Sequence, residues 1–176
     1  MNKLLPTCLA LLAASAAIAK APTTPPGGAA AQPAPQPAAR GPALDLALDA
    51  AREALDVCTA KGFNVGVSVI DSGGVAKVVL AKDGASPRGV ASSTNKAVTS
   101  LTFKAATSQL GEQIKTDMQL AEKINANANF NARAGGVLLK VGNEIIGAIG
   151  VGGARGSEND EACALAGLEK IKGKLK

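Results

Sequence analysis

In the stretch NKAVTS (95–100), Lys96 and Thr99 stand three residues apart, so a helix carrying them presents both on one face. Such a pair can hold an anionic ligand: the lysine matches a carboxylate and the threonine hydroxyl donates a hydrogen bond. Asp83, in Asp83-Gly84-Ala85, adds a carboxylate that can work with Lys96 in acid–base chemistry or simply pair with it. Thr99 has a plain alternative too, a hydrogen bond to the backbone of its own helix. Gly135 and Gly136 open an apolar run, where glycines permit close backbone approach. Two other polar residues read as structural. Asp71, before Ser72-Gly73-Gly74, suits an Asx turn; Arg155, in a glycine-rich loop, reads as an exposed arginine, although an anion could dock there beside a helix N-terminus.

What is missing narrows the chemistry further. None of the 176 residues is histidine. That removes Ser-His-Asp and Cys-His nucleophilic sites in their usual form, His-ligated zinc and His-ligated haem. Of three cysteines, Cys8 lies in the opening apolar run, which leaves Cys58 and Cys163, too few for a cysteine zinc site. No metal site is expected. Phe63, Phe103 and Phe130 are the only aromatic residues, so base-stacking platforms are absent and nucleic acid is not an expected partner. The net charge of +5 is also uninformative about partners. Lys3, Lys20 and Arg40 precede residue 43, and from there on 16 basic residues face 14 acidic ones. The lysines of KIKGKLK read as a solvated helix end that complements its dipole.

The chain divides into three parts. Residues 1–19 read as a cleaved signal peptide: Lys3, an apolar stretch from Leu4, and Ala17-Ile18-Ala19 as the small-x-small cleavage pattern. A periplasmic or secreted protein follows, with no membrane insertion after cleavage. Residues 20–42 hold seven of the nine prolines and read as a disordered Pro/Ala-rich tether. Residues 43–176 are the folded domain.

Within that domain, GGVLLKVGNEIIGAIGVGG (135–153) contains seven glycines in nineteen residues. A dinucleotide fingerprint starting at Gly150 needs glycine where Arg155 stands, and no Gly-Lys-Ser/Thr follows to make a P-loop. Lys140, Glu144 and short apolar runs argue against a membrane span. The stretch is expected to be a β-hairpin turning at Gly142-Asn143, its glycines permitting close backbone approach.

The remaining elements follow from periodicity. Leu44, Leu48, Ala51, Leu55 and Cys58 form one helical stripe over 44–61, ended by Gly62. Alternation over 63–82 gives a first hairpin. Ser86-Pro87 starts a helix through Leu101, and 108–124 reads as a second, with Leu110, Ile114, Met118 and Ala121 inward. Ser157–Asp160 resembles a capping box opening a final helix through Leu165, Leu168 and Ile171. The order helix-hairpin-helix-helix-hairpin-helix predicts an α+β fold, an antiparallel sheet with helices packed on its faces. If the hairpins share a sheet, with the first strand antiparallel beside the last, the terminal helices pack antiparallel and bring Cys58 towards Cys163. A Cys58–Cys163 disulfide is then expected, with two separate buried thiols as the alternative.

Four stretches together carry a family resemblance: VSVIDSGGVAKVVLAKDGA (67–85), NKAVTS (95–100), AGGVLLKVGNEIIGAIGVGG (134–153) and DEACALAGLEKI (160–171). They resemble the haem-binding HbpS-like, or GlcG-like, family, whose relatives include the domain found beside PduO-type corrinoid adenosyltransferases. The resemblance covers 44–172. It implies a profilin-like or PAS-like fold, usually a homo-oligomer, and a tetrapyrrole ligand. It also implies that Asp83, Lys96, Thr99, Gly135 and Gly136 converge at one sheet edge as a cofactor-binding cleft for haem, with a corrinoid as alternative. Two departures touch that cleft: Ala81-Lys82 where an Arg-Met type pair is expected, and Val137-Leu138-Leu139 in place of a Pro-Ile type strand. The expected function is exported haem binding for scavenging, buffering or sensing. The alternatives are an enzyme or accessory protein acting on a small hydroxy or oxo acid or a corrinoid, or an oligomeric partner protein without a ligand. No catalytic residue is assigned.

Overall fold

The computed structural model describes residues 38–176. The signal peptide and the tether up to Pro37 lie outside the described residues. Of the rest of the expected tether, Arg40 is bound to the domain: its carbonyl accepts Ser72 N–H at 2.7 Å, its N–H donates to Ser72 Oγ at 2.9 Å, and its guanidinium pairs with Glu144.

The chain forms α1 (Leu44–Ala60), β1 (Gly66–Asp71), β2 (Ala76–Ala81), α2 (Pro87–Phe103), α3 (Thr107–Gln113), α4 (Met118–Asn125), β3 (Gly136–Val141), β4 (Glu144–Gly152) and α5 (Ser157–Ile171). The strands make one antiparallel sheet in the order β2-β1-β4-β3. Helices α1 and α5 pack on one face, α2 on the other. This is the α+β architecture expected, and because both faces are covered every residue of central strand β1 is buried. Val67 and Val69 meet the α1/α5 layer; Ser68 and Ile70 meet α2.

Two seams of small residues set the layer spacing. The α1 stripe centres on Ala47, Ala50, Ala51, Ala54 and Cys58, while Leu44 is half exposed and Leu48 and Leu55 only partly buried. The reason is close helix approach: a Cβ on Gly167 of α5 would lie 2.5 Å from the Ala50 carbonyl oxygen. At that spacing Cys58 and Cys163, both fully buried, form a disulfide with a Cα–Cα distance of 5.7 Å. The second seam lies along the glycine-rich hairpin. Gly142 takes φ 58° in its two-residue turn, between Val141 and its partner Glu144. Gly150 and Gly152 face α2 so closely that a Cβ at either would overlap backbone carbonyl oxygens, of Ser93 and Gly89 respectively.

Three local expectations are corrected. The helix expected over 108–124 is two, because Asp117 caps a new start by accepting Leu120 N–H at 2.9 Å. Met118, placed inward by the single-helix pattern, is 77% exposed as a result. The capping box at Ser157–Asp160 does not form: Gly156, with φ 86°, is the N-cap, and Asp160 turns into the interior. Leu165 likewise faces outward, since the α1 seam uses Ala164 and Gly167 instead.

The disulfide spans 105 residues of chain, so a Cys58→Ser/Cys163→Ser variant is expected to lose about 4–5 kcal/mol in urea denaturation. Gly150→Ala is expected to cost about 1–3 kcal/mol by overpacking against α2. Gly173→Ala, in open space, is the control, and equal stability of the two glycine variants would refute the seam.

Candidate functional site

Helix α2 starts cleanly, with Ser86 Oγ accepting Gly89 N–H at 3.0 Å and Pro87 at its first position. Its buried face is polar. Ser93 Oγ lies 2.8 Å from Ser68 Oγ, and no buried side-chain nitrogen or oxygen among the described residues lacks a partner. In the middle of this face Lys96 is only 2% exposed. Its ammonium donates to Asp160 Oδ2 at 2.6 Å and to the Val151 carbonyl oxygen at 3.0 Å. Asp160 Oδ1 accepts Ala154 N–H at 2.9 Å. The pair therefore ties α2, the end of β4 and the start of α5 together. Burial pulls the Lys96 ammonium below its ordinary value of 10.5; the hydrogen bond and charge of Asp160 oppose this, and the Arg133 charge reinforces it.

The residues singled out from the sequence are placed as follows. Gly135, at φ 127°, stands beside the ion pair, and a Cβ there would lie 2.9 Å from Lys96 Nζ. Gly136 lies against the Lys96 carbonyl, and its N–H donates to Thr107 Oγ1 at 2.8 Å. The space these glycines leave is thus filled by α2. Thr99 Oγ1 donates to Asn95 O at 2.7 Å, as the plain alternative had it, and accepts Asn131 N–H at 2.7 Å. Lys96, Gly135 and Gly136 come together, with Thr99 a turn further along α2 and bonded to Asn95 and Asn131 instead. Asp83 does not join them: it is exposed, and Lys96 pairs with Asp160 instead.

Above the pair opens a cleft of about 470 Å³, at the N-terminal ends of α2 and α5. Arg88 from α2 and Arg133 from the loop before β3 line it, with Asn95, Phe130 and Asn131; Lys96 and Asp160 belong to the same lining. Both arginines are exposed, and among the described residues neither has a carboxylate partner. Phe130, Asn131 and Arg133 also line a second cleft of about 610 Å³, with Ile114, Ile124 and Ala132 as apolar wall. The shared segment is held in place by Asn131 Nδ2 donating to Ser92 Oγ at 2.9 Å and by Phe130 meeting Phe103 edge-on at 5.2 Å. Arg155 lines a separate hollow with Asn64 and Gly84. No group of acidic or cysteine side chains suited to a metal ion occurs among the described residues.

Asp160, Arg88 and Arg133 were not picked out from the sequence. Asp160 sits at a capping-box position, which local pattern explains in full, and neither arginine lies in a motif. Only unpaired charge beside the quoted stretches marks them.

A family model described as "Haem degrading protein HbpS-like" matches residues 43–169. Among solved structures the chain is similar to HbpS at 30% identity, covering 80% of this chain and 97% of that one with a TM-score of 0.69. It is also similar to Klebsiella pneumoniae protein ORFY (23% identity, 84% and 100% covered, TM-score 0.71) and to a PduOC–haem complex (22% identity, 74% and 95% covered, TM-score 0.68). No curated protein matches the chain.

Removing one partner of the buried pair strands the other charge, so Lys96→Met and Asp160→Ala are each expected to cost about 3–5 kcal/mol, and the double variant less than their sum. Additive losses in urea denaturation would show that the two do not act as a pair. The pH dependence has a definite sign. With Lys96 below 10.5 in the fold, the unfolded chain binds more protons, so this group's contribution to stability rises as pH climbs from its depressed value towards 10.5. Asp160→Ala removes the two largest of the three effects that hold the value up, leaving only the Glu161 charge, so its deficit against the parent protein is expected to shrink between pH 7 and pH 10.

Proposed function

Because the chain belongs to the HbpS-like family, we propose that it binds haem in the cleft between the N-terminal ends of α2 and α5. The observation that carries this reading is the pair of exposed guanidiniums, Arg88 and Arg133, which among the described residues have no carboxylate partners beside one cleft. Haem carries two propionates, and arginine is the side chain best suited to a carboxylate. Phe130 and the apolar wall of the adjoining cleft supply a surface for the ring. A protein of this fold, PduOC, is known as a haem complex.

The two arginines of the first cleft suit the carboxylates of a flat dianion, while Glu112, Glu158 and Glu161 line the adjoining cleft beside its apolar wall. Haem, when bound, supplies an iron centre that exchanges electrons and small ligands; the chain's own residues bind and orient it. Lys96 acts at one remove, since its ammonium is engaged by Asp160 and Val151. The same engagement disfavours acid–base chemistry by Lys96 with Asp83 on a small hydroxy or oxo acid. A corrinoid remains the second tetrapyrrole to try. The leader at 1–19 supports an exported role in scavenging, buffering or sensing haem, and family habit supports a homo-oligomer. No helix among the described residues is long and apolar enough to cross a membrane.

Haemin titration followed by gel filtration tests the proposal. A saturable Soret change that co-elutes with protein is expected. Arg88→Ala and Arg133→Ala should each weaken binding about tenfold, the size of one charge-assisted hydrogen bond. Haemin retained equally by the double arginine variant would move the site elsewhere, and no retained haemin would end the haem reading.

A further inference from the structure

Resting on that reading, we infer that Asn131 is a positioning residue for the cleft: it fastens the loop that carries Phe130 and Arg133 to α2, and so fixes Arg133 relative to Arg88. The two arginines come from unlike parts of the chain. Arg88 stands in the first turn of α2, a 17-residue helix. Arg133 lies between Asn125, where α4 ends, and Gly136, where β3 begins, and no helix or strand runs through that interval. A guanidinium on an unfastened loop has to be ordered when a ligand arrives, and that ordering offsets what its pairing gains.

The fastening is built on one stripe of α2. Arg88, Ser92, Asn95 and Thr99 follow at spacings of four, three and four, which puts them on one helix face. Arg88 lines the cleft, and the other three hold the loop. Ser92 Oγ accepts Asn131 Nδ2 at 2.9 Å, Thr99 Oγ1 accepts Asn131 N–H at 2.7 Å, and Asn95 Nδ2 donates to the Ala128 carbonyl at 3.2 Å. Among the described residues these three are the hydrogen bonds that join 128–134 to another element, and Asn131 makes two of them. Its third bond acts on Arg133 directly. Asn131 Oδ1 accepts the Arg133 N–H at 3.0 Å, an Asx turn that sets the backbone two residues on. A continuous path therefore runs from Arg133 through Asn131 to Ser92, one turn along α2 from Arg88. Thr99, whose hydroxyl the sequence offered to a ligand, is engaged in the same fastening. The two propionates of one haem are thus met by cations held in one frame, where the first pairing brings the second within reach.

Absorbance titration with haemin, followed by gel filtration, on a double-mutant cycle tests this. In the parent protein Arg133→Ala is expected to weaken haemin about tenfold, and in an Asn131→Ala background the same change is expected to cost about twofold or less. Arg88→Ala, on the helix itself, should cost about tenfold in both backgrounds. Ser92→Ala cuts the link to α2 from the helix side and should shrink the Arg133 effect in the same way; it is the second background should Asn131→Ala fail to fold. An Arg133 effect that stays at about tenfold in the loosened backgrounds would overturn the positioning role and leave the haem reading in place. Loss of the Arg88 effect along with the Arg133 effect would overturn it too, because the damage would then be general to the cleft. A parent protein that retains no haemin would overturn the haem reading itself.

Discussion

The buried pair of Lys96 and Asp160 is the interaction on which the site depends. Taking two charges out of water is costly, and their attraction offsets that cost only where the geometry is good and the remaining hydrogen-bonding groups are filled. Here Lys96 also has the Val151 carbonyl and Asp160 also has the Ala154 N–H. These contacts join a helix from one layer, a strand end, and the first turn of a helix from the other layer. The cleft lies where those parts meet, so its shape is set by the pair beneath it.

That pair can form only because side chains are missing elsewhere. Gly135 leaves the space that the ammonium occupies, and Gly150 and Gly152 let α2 lie on the sheet at backbone distance. The same principle operates on the opposite face, where alanines of α1 meet Gly167 and draw Cys58 to Cys163. Close packing around glycine trades side-chain burial for proximity. The fold is therefore built on thin seams, with larger apolar groups such as Ile149, Val151 and Ile171 filling the core between them.

The cleft itself is organised differently. Its charged groups are free at the surface and locked at the floor. Among the described residues Arg88 and Arg133 face solvent without carboxylate partners, whereas Lys96 is consumed internally. An anionic ligand is consequently met by the exposed cations, and the lysine that looked most available from the sequence serves to shape the cleft under them.

By itself the sequence determined the α+β class, both hairpins, the start of α2 at Ser86-Pro87 and the turn at Gly142, because each follows from local periodicity or from a residue's own backbone preference. It also narrowed the chemistry through the absence of histidine, which no fold can restore. The Cys58–Cys163 disulfide needed one step more, an assumed sheet, which the strand order β2-β1-β4-β3 supplies. Tertiary structure alone decided the partner of Lys96. Asp83 is 13 residues away in sequence and Asp160 is 64, and no local rule distinguishes a carboxylate that caps its helix from one that turns inward. Packing likewise decided that 108–124 breaks at Asp117, and that Arg88 and Arg133, distant in the chain, line one cleft. Local pattern reports what a residue prefers; which charges share a desolvated space depends on how the layers close.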